Sequence, residues 1–460
     1  MFNIIKSTPQ SLGPRLGRLC LPGRKAIETP HYLGVTSRGV VPHITQDTFR
    51  RDAGINGVYV PLEDFIERAP QKIPPIYEFS PPDGSSPLRR FIALPEETVL
   101  VLGARRTPPV LAPAANPNTN TSISVCTAVG FRTLKAEDYA KAAEHLQPDI
   151  VVGLGDIPYG RALGSKRIEK ATDRQIQWMQ DHVALRNSNG KTKGRSKLFA
   201  PLSLVSCANQ RFYMDCLTEQ LGELVSGLAF YNLAPLEDLP AALHSLSRLA
   251  FTEPSTPHDI LQQISMGIDV FTIPFISAAT DAGIALDFTL PAPQITPPDH
   301  EHVAPRTLGI DMWLAAHAID LSPLTKGCKC YACTKHHRAY IQHLLLAKEM
   351  LGWILLQIHN HHVLDLFFAG IRQSIALDVF DSERRRFEEV YNAHLPEKTG
   401  QGPRVRGYQF KSEGPGEAKK NKAAFTMLDD GKEKIAEARQ EDVEVVVDGK
   451  GGEGGGSPAA

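Results

Sequence analysis

The chain carries no surplus of either charge: 50 basic residues stand against 51 acidic ones in 460 positions, a formal charge of −1. Nothing global therefore draws it to nucleic acid or anionic lipid, and any such contact must be local. It also lacks a long unbroken apolar run. The longest, Leu344 to Ile358, is interrupted by Lys348 and Glu349 and is too short to cross a bilayer, so a soluble protein is expected. No secretory signal is recognisable, which leads to the expectation of a reducing compartment, the cytoplasm, without disulfides. No solenoid-type repeat is visible. Cysteine is scarce, with seven in all, and Cys20, Cys126, Cys207 and Cys216 are scattered as lone buried thiols usually are.

The other three cysteines are packed as Cys328-Lys-Cys330-Tyr-Ala-Cys333. A Cys-x-Cys pair is poorly placed for a disulfide, whereas this turn can deliver three thiolates to one ion. Zinc takes four soft or borderline ligands in a tetrahedron, so a histidine on a following helix would complete a closed, structural site. His336, His337, His343, His359, His361 and His362 all lie close by in sequence, and spacing alone does not choose among them.

With 42% hydrophobic residues the chain can bury a large core. Candidate strands are Tyr32–Thr36, Val58–Pro61, Thr98–Gly103, Ser122–Thr127, Ile150–Leu154, Leu198–Leu204, Gly227–Tyr231 and Asp269–Ile273. Helical patterns over Lys135–His145, Ile168–Leu185 and Met214–Leu224 follow three of them. Runs such as Ile150-Val-Val suit parallel strands buried on both faces. About eight strand-helix units would close a (β/α)8 barrel, and an open doubly wound sheet would show the same rhythm. Loop insertions are expected near 104–122, 187–197 and 289–307. Beyond 397 the chain turns to Lys, Glu and Gly and is expected to lack a packed core.

At the cysteine motif, Lys326-Gly-Cys-Lys-Cys-Tyr-Ala-Cys-Thr-Lys-His-His-Arg-Ala-Tyr-Ile-Gln-His-Leu344, continuing to Ile358-His359-Asn360, resembles the zinc-binding segment of the tRNA-guanine transglycosylases. That resemblance selects His359 as the fourth ligand beside Cys328, Cys330 and Cys333. It implies one Zn2+ per chain and an α/β fold, a modified (β/α)8 TIM-type barrel. The barrel body would occupy 1–325, an inserted zinc-binding subdomain with closing helices 326–396, and the tail 397–460.

In active members of that family, a strand ending in Phe-Asp supplies the nucleophile that displaces guanine and holds the ribose covalently. Here the matching stretch is Gly267-Ile-Asp-Val-Phe-Thr-Ile-Pro-Phe-Ile-Ser-Ala-Ala-Thr-Asp-Ala-Gly-Ile-Ala-Leu286, which puts Thr272 at the nucleophile's position. The family's Pro-Thr-Arg falls on Ile276, Ser277 and Ala278. An oxocarbenium-like transition state needs an anion beside the ribose carbon, and a neutral hydroxyl supplies neither charge nor a strong nucleophile. No Ser-Gly-Gly occurs in the chain, the nucleobase-contacting turn reads Ser226-Gly-Leu-Ala-Phe-Tyr-Asn232, and Gly155 replaces one of two neighbouring acids, leaving Asp156.

Lost chemistry beside retained metal ligands resembles the non-catalytic accessory subunits of the eukaryotic branch of this family. The resemblance implies no catalytic residue in this chain and a heterodimer with the catalytic subunit of queuine tRNA-ribosyltransferase, which exchanges guanine for queuine at the wobble position of GUN-anticodon tRNAs. It further implies tRNA contact and peripheral association with the mitochondrial outer membrane. Lys326, Lys329, Lys335 and Arg338 near the metal motif are candidate phosphate contacts, as are Lys193, Arg195 and Lys197. Two alternatives remain: a self-sufficient enzyme drawing its carboxylate from Asp269, Asp281 or Asp287, and a zinc-stapled RNA- or protein-interaction module.

Overall fold

The computed structural model describes residues 1–403 except 8–11, 68, 70, 114, 161–162, 189–195 and 295–303. Eight short parallel strands close into a barrel: β1 (His31–Val35), β2 (Gly57–Pro61), β3 (Val99–Gly103), β4 (Ile150–Val152), β5 (Lys197–Leu202), β6 (Val225–Phe230), β7 (Ser247–Ala250) and β8 (Val270–Thr272). Each pairs with its sequence neighbours, and β8 closes on β1 through Val270–His31, Phe271–Tyr32 and Thr272–Leu33. The closed parallel barrel fits the (β/α)8 expectation and removes the open sheet.

Alternation along each strand divides the core in two. Leu33, Tyr59, Val101, Val152, Phe199, Leu249 and Val270 fill the lumen, while Tyr32, Val60, Leu102, Leu202, Phe230 and Phe271 face the surrounding helices. Gly227 on β6 makes room for the lumen-filling Phe199, whose ring would lie within 2.6 Å of any Cβ there. The amino-terminal end of the barrel is capped by a three-stranded antiparallel sheet, Phe2–Ser7, Arg15–Leu19 and Ile27–Thr29, whose Leu19 and Ile27 join the lumen core.

Two expectations require correction. Ser122–Thr127 is a strand but not a barrel stave; it pairs antiparallel with Gly130–Lys135 in a separate hairpin. The missing stave is β7, Ser-Arg-Leu-Ala, which reads as no strand because a charged residue interrupts so short a run. Arg248 is nonetheless only 2% exposed, because its guanidinium donates to the Gly267 carbonyl at 3.2 Å. The pattern over Met214–Leu224 is likewise not one helix but a short α-turn, Arg211–Asp215, running into a wider π-turn, Cys216–Gln220.

After β8 the chain forms the helix Phe275–Asp281 and a two-stranded ribbon, Ile284–Leu286 with Gly309–Asp311. The ribbon leads to α1 (Tyr331–Lys335), α2 (Arg338–Leu346) and α3 (Met350–Ala376). These pack as a satellite core with Leu324, Ile341, Leu345, Trp353, Leu356 and Ile358 buried. The apolar run Leu344–Ile358 is thus two helices with a break at Lys348, whose φ is +57°. No described helix is long and apolar enough to cross a membrane. Thr399 to Gly402 lie against the ribbon and the helix before it, with the Thr399 hydroxyl donating to Asp311 at 2.5 Å and Gly400 packed on Trp313; the expected tail beyond 403 lies outside the described residues.

Candidate metal centre and the barrel mouth

Cys328 follows a turn that needs Gly327, whose φ is +80°. Cys330 is the residue before α1, and its sulfur accepts the Cys333 N–H at 3.3 Å, a bond that orients two ligands and favours a thiolate. The fourth group arrives from the middle of α3. His359 is fully buried, and its Nε2–H donates to the Leu286 carbonyl at 2.9 Å. That bond fixes the tautomer and leaves Nδ1 free as a donor atom. Nδ1 lies 3.7, 3.6 and 3.4 Å from the sulfurs of Cys328, Cys330 and Cys333.

These separations can be tested against coordination chemistry. Metal–sulfur and metal–nitrogen bonds of the usual zinc lengths, set at a tetrahedral angle, place S and N about 3.6 Å apart. All four ligand atoms lie within 4.8 Å of one another, so this group could hold one metal ion. Hydrogen bonds from Cys330 and Cys333, opposed by burial and supplemented by His359 and His362, draw the Cys328 thiol far below its usual range. Cys330, hydrogen-bonded to Cys328 and Cys333, is pushed far above it. Burial lowers the His359 imidazole, but Cys328 and Cys333 reverse this and raise it to about 9. The Cys328 thiolate and the His359 imidazole thus balance one another across the cluster, and it is the ligand set and its spacing that point to a metal.

The neighbouring residue ties this centre to the barrel. Asn360 accepts the Leu286 N–H at 2.8 Å and donates to Thr280 and to the Ile284 carbonyl at 2.9 and 3.0 Å. One turn of α3 therefore presents a ligand and also locks the strand Ile284–Leu286. Of the other nearby histidines, His362 approaches the Cys328 sulfur without joining the four-ligand group, His361 meets the Tyr32 hydroxyl at 3.0 Å, and His337 caps α2 through the Tyr340 N–H.

At the carboxyl ends of the staves, where barrel enzymes build their active sites, Thr272 is fully buried and donates its hydroxyl to the Ala250 carbonyl at 3.1 Å. The mouth beside it is filled. Tyr231 stacks on Phe251 at 5.1 Å, Tyr59 meets Phe251 edge-on at 4.9 Å, and Tyr159 abuts Tyr231 at 6.3 Å. The cavity left among them is about 20 Å³, roughly one water. Asp156, also fully buried, is clamped by Arg167 at 2.6 and 2.8 Å, Arg174 at 2.8 Å and Asn118 at 2.6 Å. Burial would raise this carboxyl, but those hydrogen bonds hold it below its usual value. It is a neutralised structural anion.

None of the alternative carboxylates reaches the mouth. Asp269 sits at the opposite end of β8, bound by Arg15 at 2.5 and 2.7 Å and by the Arg248 N–H at 2.7 Å. Asp281 pairs with His43 at 2.7 Å, and Asp287 accepts the Thr325 hydroxyl at 2.9 Å. Among the candidate phosphate contacts, Lys326, Lys329 and Lys335 are exposed. The Arg338 guanidinium is committed to Asp320 and to the Pro323 and Leu324 carbonyls. Lys197 opens β5, whereas Lys193 and Arg195 lie outside the described residues.

Sequence reasoning missed the aromatic plug and the two arginines on Asp156. Tyr231 lies inside the altered turn Ser226–Asn232, so an aromatic replacing a small or polar residue was the available signal.

With this geometry in place, comparisons with known proteins can be set beside it. A family profile described as queuine tRNA-ribosyltransferase matches residues 10–393. A protein of Schizosaccharomyces pombe named queuine tRNA-ribosyltransferase accessory subunit 2 is 35% identical over 88% of this chain and 88% of its own length. Proteins with the same name from Drosophila mojavensis and Xenopus tropicalis are 29% and 28% identical, covering 82% and 79% of this chain and 89% and 94% of their own lengths.

Proposed function

The chain belongs to the queuine tRNA-ribosyltransferase family, and from that premise we propose that it is a zinc-bearing, non-catalytic subunit that pairs with a catalytic relative. The pair exchanges guanine for queuine at the wobble position of GUN-anticodon tRNAs in the cytoplasm. The observation that carries this reading is the barrel mouth. Base exchange needs room for a nucleobase and an anion beside the ribose; here aromatic rings leave about 20 Å³, and the strand-tip residue is a buried threonine bonded to a neighbouring carbonyl.

Cys328, Cys330, Cys333 and His359 would hold the zinc. Four protein ligands leave no open position, so the ion supplies a structural staple worth on the order of 10 kcal/mol to local folding. What this chain's own residues contribute is a surface. The staple fixes α2 against the segment Ala315–Leu324, where Ile319 and Leu321 are 89% and 74% exposed. Apolar side chains so exposed suit a protein partner, and the adjacent Lys326, Lys329 and Lys335 suit tRNA phosphates.

The test is reconstitution. The purified chain alone, a catalytic relative alone, and the two together are assayed for queuine incorporation into tRNA. Exchange is expected only when the catalytic chain is present, with this chain raising it and co-eluting with it. Exchange by this chain alone, or a covalent tRNA adduct on Asp269, Asp281 or Asp287, would establish the self-sufficient enzyme instead. Co-purification with an unrelated protein would favour the interaction module.

A further inference from the structure

The hairpin that left the barrel pattern has one covered edge and one bare one. In the register Cys126–Phe131, Ser124–Thr133 and Ser122–Lys135, with Thr127 and Gly130 flanking a two-residue turn, these residues turn their main-chain groups away from the partner strand. On the first strand that edge is capped: the Cys126 N–H donates to Glu63 at 2.9 Å and the Ser124 N–H to Asn118 at 3.0 Å. On the second strand, no described residue bonds the outward N–H of Thr133, while the outward Phe131 carbonyl accepts from the neighbouring Arg132 guanidinium at 3.2 Å. Phe131 to Lys135 instead line a groove of about 710 Å³ against the helix Ala136–Leu146, Ile66 and the stretch 71–77. Ile73, Tyr77 and Leu134 give it apolar walls, and Lys72 and Lys135 face it beside Asp138, with Lys141 paired to Glu137 and the Arg132 guanidinium donating to the Glu67 and Phe131 carbonyls.

A bare strand edge beside an apolar, cationic groove fits an added strand that is acidic and β-branched. This chain carries one. Glu441-Asp-Val-Glu-Val-Val-Val-Asp448 has four carboxylates, four valines and no cation. In an extended conformation Val443, Val445 and Val447 share one face, while Asp442, Glu444 and Asp448 share the other. The 38 residues from Pro403 to Glu441 can span up to about 120 Å, several times the radius of gyration of about 21 Å for a compact domain of this size.

We propose that residues 441–448 dock in this groove as a third strand on the Gly130–Lys135 edge of the same molecule. Valines cover the groove's apolar wall, and the carboxylates meet Lys72 and Lys135.

Hydrogen exchange on the full chain and on the chain ending at residue 403 tests this. The Phe131, Thr133 and Lys135 amides should exchange about tenfold or more slowly in the full chain, and a synthetic 441–448 peptide should restore that protection to the shortened one. Tail variant V445K/V447K, which leaves the barrel sequence untouched, should exchange like the truncation. A zero-length carbodiimide should join Lys135 or Lys72 to Glu444 or a neighbouring carboxylate within one chain. Equal exchange rates with and without the tail overturn the proposal. So does cross-linking found only between isotopically distinct copies, or protection that the V445K/V447K variant retains.

Discussion

His359 and Thr272 show how much rests on single side chains. Replacing His359 with alanine leaves three thiols around a missing corner and removes the only described donor to the Leu286 carbonyl from this centre. Metal analysis by plasma mass spectrometry should fall from about one zinc per chain toward zero, and the apparent melting temperature should drop by several degrees. Changing Thr272 to aspartate should not create an enzyme. It would place a carboxylate in a fully buried site facing the Ala250 carbonyl oxygen, costing about 2 to 4 kcal/mol. Urea unfolding should show the loss, with no covalent tRNA adduct in denaturing gels.

Asp365 offers a residue-level test of pH dependence. It accepts the Tyr32 hydroxyl at 2.9 Å, and burial pushes its carboxyl up to about 6 despite that bond and nearby cations. An acid whose value is higher folded than unfolded keeps its proton better in the folded state. The folded protein is therefore penalised by this charge above pH 6 and relieved of it below about pH 4. Asp365→Asn retains an oxygen for Tyr32 and removes the charge. It should raise stability at pH 7.5 by about 1 to 3 kcal/mol and flatten the stability profile between pH 4 and 6, as read by urea midpoints.

Among the elements, α3 bears the most constraint. At Gly370 the Leu290 carbonyl oxygen would lie 1.8 Å from any Cβ, so the segment leaving Leu286 crosses directly on the helix backbone. Gly370→Ala should part helix and crossing strand at a cost of about 1 to 3 kcal/mol, measured by thermal unfolding, and should loosen metal retention because the same helix carries His359. This scale also explains what could be read from sequence. The Cys-x-Cys-x-x-Cys turn was legible because its geometry is local. His359 lies 26 residues beyond Cys333, and only the packing of α2 and α3 decides which of six histidines arrives, so spacing gave no answer and family resemblance was required. β1 to β6 and β8 announced themselves as short apolar runs. β7 did not, because its arginine is buried against a carbonyl that only the closed barrel provides, with its Nε left without a partner among the described residues. Ser122–Thr127 has the composition of a stave, but its edge is spent on Glu63 and Asn118. The aromatic plug was hard to read because Tyr59 comes from within β2 while Tyr159, Tyr231 and Phe251 come from beyond the ends of three other staves, and only Tyr231 sat in a turn whose alteration could be seen.

For the whole molecule, the proposed pairing couples metal, surface and partner. Stripping zinc with a strong chelator should dissociate the two chains on size-exclusion chromatography and abolish the stimulation of queuine incorporation. Ile319→Asp with Leu321→Asp should weaken the pair about tenfold or more while leaving zinc content unchanged, which separates the surface from the staple. If this double variant binds the catalytic chain as tightly as the unaltered protein does, another face makes the contact.

The plugged mouth has an outcome for dosage. On the proposed pairing, a mouth with room for about one water would take up no free queuine, so adding surplus copies of this chain to a reconstituted pair should leave the rate of exchange unreduced.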